Sequence, residues 1–448
     1  MRVHAFARGV VMVATLACIV ASAAPDSTSG SAAPETLRLS LRQAKAMAVE
    51  RQVAVLSARE QTVESMARSD EALASFRPSV DFKTYQTRQT ENLMAMGLNL
   101  PGFPTLIGPF DTFDARVRFT QRIFDLARLR ELDASRHAVD AARLRADATA
   151  QQMAGAAALA YVESQRAQQA VTAALANHAL SQNLLQLARD QQSAGLATGV
   201  DVVRAQTVHA RNTLLLRQAR SSASEADTRL HRALGLGMSV ALELTDPLQN
   251  DAMPVPALPA AIDTALHKRP ELQALEQVVT QRDTERKAAN AASYPALSVG
   301  GDIGPSGVTP AHNDYRTYSF GVQLTMPLME GGAITAREDA AASRMRQAEL
   351  QLRDTMQQVE EDVRLAVIAI ETSADQIATA EISLTLAERL LDQARDRFRN
   401  GVADNLEVVD AQATLASARS ARIDALAAHQ MAFINYEMAV GRLEYGQP

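Results

Sequence analysis

Residues Arg397 to Gln412, Arg-Phe-Arg-Asn-Gly-Val-Ala-Asp-Asn-Leu-Glu-Val-Val-Asp-Ala-Gln, restate at one constant offset the earlier segment Gln191 to Gln206. Gly195 answers to Gly401, Ala197 to Ala403, Val202-Val203 to Val408-Val409 and Ala205-Gln206 to Ala411-Gln412, and the register holds without a gap to Gly235 and Gly441. Chance does not keep one register that long, so the chain is a tandem duplication and folds as two similar units. In both copies a long helical pattern reaches a glycine able to take the left-handed conformation that ends helices. Three residues later comes a capping side chain, Thr198 or Asp404. Each copy therefore predicts a tight helix-turn-helix tip, at 195–198 and at 400–404.

Composition narrows the class. The 448 residues include no Trp and only 4% aromatics, against an abundance of Ala, Gln, Arg and Leu, which favours long helices with thin cores. A net charge of −6 with no clustered run of Lys and Arg gives no basic field for nucleic acid, so no nucleic-acid partner is expected.

Residues 1–23 read as a signal peptide: Arg2 and Arg8 lead an apolar run from Val10 to Val20, and Ala21-Ser22-Ala23 is a small-x-small cleavage signature. Cleavage after Ala23 removes the only cysteine, Cys18. The rival is a lipid anchor on Cys18, although Thr15 stands where a lipobox prefers Leu. Residues 24–38 read as a disordered Ser/Ala/Pro tail. The first repeat is expected at 39–245, opening with one helix from Leu39 to Ser75 that stops before Pro78. A linker at 246–258, with four prolines counting Pro259, joins the second repeat at 259–441, and 442–448 form a C-terminal tail.

Four segments break the helical period. In the last of them Tyr318, Phe320, Val322, Leu324 and Met326 alternate with Ser319, Gly321, Gln323 and Thr325, as in a strand wet on one side only. Phe113, Ala115, Val117 and Phe119 alternate likewise with Asp114, Arg116, Arg118 and Thr120. Strands are expected at about 76–90, 112–124, 294–304 and 314–328, and Phe76 to Phe124 with Tyr294 to Phe320 hold twelve of the eighteen aromatics. Strands of about ten residues carrying such aromatics suit a bilayer-spanning barrel. A small soluble sandwich is the bland alternative, but two hairpins are too few for it, and too few to close a barrel from one chain; the strands imply oligomerisation.

Behind each hairpin comes a long helical pattern, Asp125 to Ala194 and Gly331 to Asn400, about 105 Å in each case. The flanking helices, Leu39 to Ser75 and Asp404 to Val440, are half as long, so the economical packing is a wall in which each continuous helix runs beside two stacked shorter ones. Ala-rich seams allow the close approach.

The two tips, the segment Leu406 to Gln412 and the strand exits Thr120 to Asp125 and Thr325 to Gly332 together resemble the TolC-type outer-membrane channel subunits of bacterial efflux and type I secretion systems. The resemblance implies a mainly α fold with a transmembrane β part: a trimeric twelve-stranded β-barrel, four strands per chain, continued by a long α-helical barrel in the periplasm. It implies a passive exit duct in the outer membrane lipid, opened at its periplasmic tip by an adaptor and an inner-membrane transporter. No catalysis, cofactor or metal site is expected. Gly195, Leu196, Ala197, Gly401, Val402 and Ala403 become adaptor-docking residues, although both glycines serve equally as plain turns.

Glu407 and Asp410 become the pore constriction by their match to the family's acidic positions. Glu407 also fits a capping box with Asp404, a purely structural role. The family's arginine tether has no equivalent at Ala403. The alternatives are a heavy-metal cation efflux channel, prompted by Met94-Ala95-Met96, and a periplasmic adaptor with coiled-coil hairpins, which would need lipoyl-type β halves that this chain lacks.

Overall fold

The computed structural model describes residues 36–444, except 99–100, 196, 250–254, 256, 314, 401 and 403–404. The signal peptide, Cys18 and residues 24–35 of the tail lie outside the described residues.

The first element is not helix. Strand β1 (Thr36–Leu39) pairs in parallel with β4 (Ala241–Leu244), Leu39 opposite Leu244. The expected disordered tail 24–38 is thereby corrected at its end: residues 36–38 gain a partner from the far end of the first repeat, and Leu39 becomes 1% exposed. Tyr161, fully buried, donates its hydroxyl to the Leu39 carbonyl at 2.9 Å, and Leu41 N–H donates to Asp246 Oδ2 at 2.6 Å.

The helix expected from Leu39 to Ser75 is two helices, α1 (Leu41–Arg51) and α2 (Val53–Ala74), parted at Gln52. Ser40 opens α1 through a capping box with Gln43. Then come β2 (Ser79–Asn92), β3 (Leu106–Phe124), and α3 (Leu126–Ser193), whose 68 residues start where Asp125 accepts the Arg128 N–H. Helix α4 (Gly199–Leu234) leads to β4. The second copy repeats the plan: α5 (Leu258–Lys268), α6 (Pro270–Ala291), β5 (Ala296–Gly307), β6 (Tyr315–Thr325), α7 (Ala333–Arg399) and α8 (Asn405–Ala439).

At Arg269 the parting of α5 from α6 has a local cause, because Pro270 disfavours the helical conformation in the residue before it. At Gln52 the sequence holds no breaker. There the end of α4 abuts the joint, and Gln52 Nε2 donates at 2.6 Å to the carbonyls of both Arg232 and Ala233, two acceptors in the helix's last turn, the first of which also takes the Gly235 N–H at 3.2 Å.

Helix α3 packs against α1, α2, α4, α6 and α8, while α7 packs against α5, α6 and α8. Each long helix does run beside stacked shorter ones. The seam is Ala154, Gly155, Ala157 and Ala158, where a Cβ on Gly155 would collide with the Met438 sulfur. Close helix approach thus replaces bulky side chains as the source of packing.

The strands form one antiparallel sheet in the order β2-β3-β5-β6. Strand β3 begins at Leu106, ahead of the expected start at 112, because its extra length pairs with the outer end of β2, Ile107 opposite Glu91. The outer edges of β2 and β6 have no partner strand among the described residues.

Candidate functional site

The sheet has two chemically distinct faces. Val80, Phe82, Val117, Tyr318, Phe320, Val322 and Leu324 share one, and most are more than half exposed. A row of exposed aromatic and branched side chains on an antiparallel sheet is the pattern expected of contact with lipid. The opposite face holds a charged knot centred on Arg116. Its Nε donates to Asp114 at 2.7 Å, its Nη1 to Asp302 at 2.5 Å and its Nη2 to the Thr317 hydroxyl at 2.9 Å. Ser319 donates to the second oxygen of Asp302 at 2.6 Å. One guanidinium so ties β3 to β5 and β6. No helix among the described residues is long and apolar enough to cross a membrane.

At the far end of the helices stand the two tips. In the first, Gly195 takes φ +76°, ending α3, and its N–H donates to the Gln192 carbonyl at 3.0 Å. Thr198 caps α4: its hydroxyl accepts the Asp201 N–H and donates to Asp201 Oδ2 at 2.6 Å, while its own N–H donates to the same oxygen at 2.9 Å. Arg204 adds an ion pair with Asp201 at 3.4 Å. These bonds hold the Asp201 carboxyl below its usual range, the Thr198 hydroxyl first among the causes. Beneath the tip Leu185, Ala188, Val202 and Ala205 form a small apolar cluster.

The second tip closes with the Val402 N–H donating to the Arg397 carbonyl at 2.9 Å. Phe398, Val408, Ala411 and Leu415 pack beneath it with Leu391 and Ala394. Leu196, Gly401 and Ala403 lie outside the described residues, as does the capping role expected of Asp404. Val402 is 69% exposed, at the turn between α7 and α8.

Glu407 and Asp410 both face solvent, one turn apart on α8. Glu407 Oε1 lies 3.4 Å from Arg397 Nη2, an ion pair joining α7 to α8 across the tip. Sequence reasoning missed this link. Arg397 belongs to the preceding helix, and only folding the hairpin brings the two side chains together. Asp410 makes no side-chain hydrogen bond or ion pair among the described residues. Met94 and Met96 are exposed in the loop after β2, and no group of three or more His, Cys, Asp or Glu that could hold a metal occurs among the described residues.

The sequence profile of the family described as Outer membrane efflux protein matches residues 45–236 and 261–442, one stretch in each repeat. The alkaline protease secretion protein AprF of Pseudomonas aeruginosa is 30% identical over 269 residues, 58% of this chain and 55% of that protein. The probable efflux pump outer membrane protein TtgC of Pseudomonas putida is 24% identical over 265 residues, 58% of this chain and 54% of that protein. The chain thus spans about half the length of the curated relatives it matches. Among solved structures, the outer-membrane channel OprN aligns with a TM-score of 0.78 over 90% of this chain and 89% of its own, at 19% identity, a likeness of fold.

Proposed function

The chain belongs to the outer membrane efflux protein family, and from that premise we propose that it is the channel subunit of a tripartite efflux or type I secretion system, a passive duct that closes only as a homotrimer. The observation that carries the reading is the four-stranded sheet with two unpartnered edges and one apolar face. Unpaired edges cannot remain open in a bilayer, where every backbone donor and acceptor must be met by protein, so β6 of one copy pairs with β2 of the next until the barrel closes at twelve strands. The helical wall also has apolar margins: Leu365, Ile368, Ile382 and Leu386 of α7 are exposed at 56–63%, and Val53, Val63 and Val203 of α2 and α4 at 55–75%. Joining these two margins in neighbouring copies continues the barrel as a helical tube into the periplasm.

A duct of this kind is opened from its tip by a periplasmic adaptor and an inner-membrane transporter. Gly195, Leu196, Ala197, Gly401, Val402 and Ala403 are the docking surface in this reading, and Glu407 and Asp410 line the constriction. The test is the mature chain purified in detergent, which should run as a heat-dissociable trimer and conduct in planar bilayers. A stable monomer soluble without detergent would refute the proposal. For the tips, Leu196→Asp and Val402→Asp should abolish adaptor crosslinking with the trimer intact; unimpaired crosslinking would reduce both tips to turns.

A further inference from the structure

The inner face of the barrel sheet gathers arginines that are scattered in the sequence. Ser79 pairs with Thr120, and Arg77 stands in the bend just ahead of β2; Arg118 and Arg122 flank Thr120, two residues to either side on the same face. All three line one depression of about 760 Å³ where α2 passes into the sheet. Its floor is the cross-strand pair Gly300 and Gly321, and between the level of Arg118 and that of Arg122, about 13 Å apart along the strand, β2 and β3 contribute only the small hydroxyls of Ser79 and Thr120, bonded to each other at 2.6 Å. Ser298 and Gln323 border it with neutral donors and acceptors.

None of the three guanidinium groups is engaged by a hydrogen bond or ion pair among the described residues, and all three residues are exposed. The acids nearby do not cancel them. Asp302, opposite Arg118, is already held by Arg116 and Ser319, and Asp114 by Arg116. Asp81, across the strand from Arg118, is the remaining carboxylate. From Arg77 to the level of Asp114 this face carries Arg77, Lys83, Arg116, Arg118 and Arg122 against Asp81, Asp114 and Asp302, an excess of two positive charges per chain. Threefold closure would repeat that excess around the lumen.

We propose that Arg77, Arg118 and Arg122 form an arginine belt at the periplasmic end of the barrel, an anion subsite for small polyanions bearing carboxylate or phosphate groups. The inference rests on the channel reading above and adds a class of cargo to it. Guanidinium forks match carboxylate and phosphate in two-point contact, and arginine stays charged at every working pH. Spacing over more than one level favours a ligand with several anionic groups over a single halide.

The test uses the whole trimer in planar bilayers of neutral phosphatidylcholine, with inorganic pyrophosphate as the probe. Pyrophosphate should block the current, and R77Q/R118Q/R122Q should need about tenfold more of it for half-block. The same variant should shift the reversal potential in a KCl gradient toward cation selectivity. The triple lysine variant should retain most of the block. If the glutamine triple variant does not assemble, Arg122→Gln alone should give a smaller shift in the same direction. Lanthanum block from the tip side, which the belt does not touch, reports that the variant channels are intact. Repeating the titration with added phosphatidylglycerol separates lumen from lipid: an unchanged half-block supports the belt, and a block that weakens with anionic lipid would assign the arginines to headgroups and overturn it. Conducting channels with no pyrophosphate block, or with equal block in wild type and glutamine variants, would also overturn it. Failure to conduct at all would refute the channel reading itself.

Discussion

Gln52 and Arg269 occupy the same place in the two repeats, each in extended backbone, φ −65°, ψ 126° and φ −66°, ψ 119°, at the joint between two helices laid end to end. The backbone solution is shared and the chemistry is not. Gln52 holds its joint by donating to the last carbonyls of α4, whereas Arg269, 9% exposed, pairs with Asp362 at 3.0 Å and Glu271 at 3.2 Å. Duplication has preserved a bend and let its fastening diverge.

The two joints should therefore fail differently. Gln52→Ala removes two hydrogen bonds to helix-end carbonyls that water can partly replace, at a cost of about 1–2 kcal/mol. Arg269→Ala should cost more, about 2–3 kcal/mol, because it strips two carboxylates of a nearly buried partner. Arg269→Met, which keeps the packing, should fall between them. The temperature at which the trimer dissociates on a semi-native gel should rank wild type, Gln52→Ala, Arg269→Met and Arg269→Ala in falling order.

Each joint is also met by a glycine. Gly235 and Gly441, both at φ +67°, end α4 and α8 against the joints, where an added Cβ would lie 3.2 Å from the Arg51 carbonyl oxygen and 3.1 Å from Arg269 N and Cα respectively. An alanine at φ above zero costs about 1–2 kcal/mol by itself. Gly331, at φ +60° with nothing within 4 Å of an added Cβ, isolates that contribution. Gly235→Ala and Gly441→Ala should lower the dissociation temperature more than Gly331→Ala, and equal effects at all three would show that the joints yield freely.

Much of this architecture was legible because its signals are local. Period-two alternation located β6, the constant register between Gln191–Gln206 and Arg397–Gln412 located both tips, and the two long helical runs set the length of the wall. What escaped depends on partners distant in sequence. The short strand β1 carries no pattern of its own and becomes a strand only beside β4. The break at Gln52 lacks a proline and is fixed by the end of α4. Arg77 stands just before β2, whereas Arg118 and Arg122 belong to β3, so these arginines form no cluster until folding brings them to one depression. At the second tip, the missing arginine at Ala403 suggested that no cationic link closes this end, yet Arg397 reaches Glu407 from the preceding helix.

The first tip should hold its shape through mild acid. Asp201 is held below the usual carboxylate range by Thr198 and then by Arg204, so the folded tip favours the ionised form. Its stabilising effect is present above the unfolded value, near pH 4, and is lost as pH falls through the lowered folded value. Hydrogen exchange of the residues around Thr198, corrected for intrinsic rate, should stay slow at pH 5 and accelerate only below about pH 4. Asp201→Asn should exchange faster at pH 5 and lose the pH dependence; a wild-type tip already loosened at pH 5 would contradict the capping account.

The second tip should divide its two acids by role. Arg397 partly neutralises Glu407 at 3.4 Å, while Asp410, about 4.5 Å further along the helix axis, points to solvent with no such partner among the described residues. If both line the constriction, three copies bring six carboxylates around one opening, and the Asp410 ring presents the less compensated charge to an entering cation. In single-channel recordings, Asp410→Ala should weaken lanthanum block by about tenfold and reduce cation selectivity, and Glu407→Ala should do so less. Arg397→Gln discriminates further, because it removes a positive charge beside Glu407 without removing any acid: block should become stronger, the opposite sign to both alanine variants. Were Arg397→Gln to weaken block instead, the ion pair would be serving to hold the tip's shape. Unchanged block and selectivity in both alanine channels would remove the acidic ring from the account of this duct.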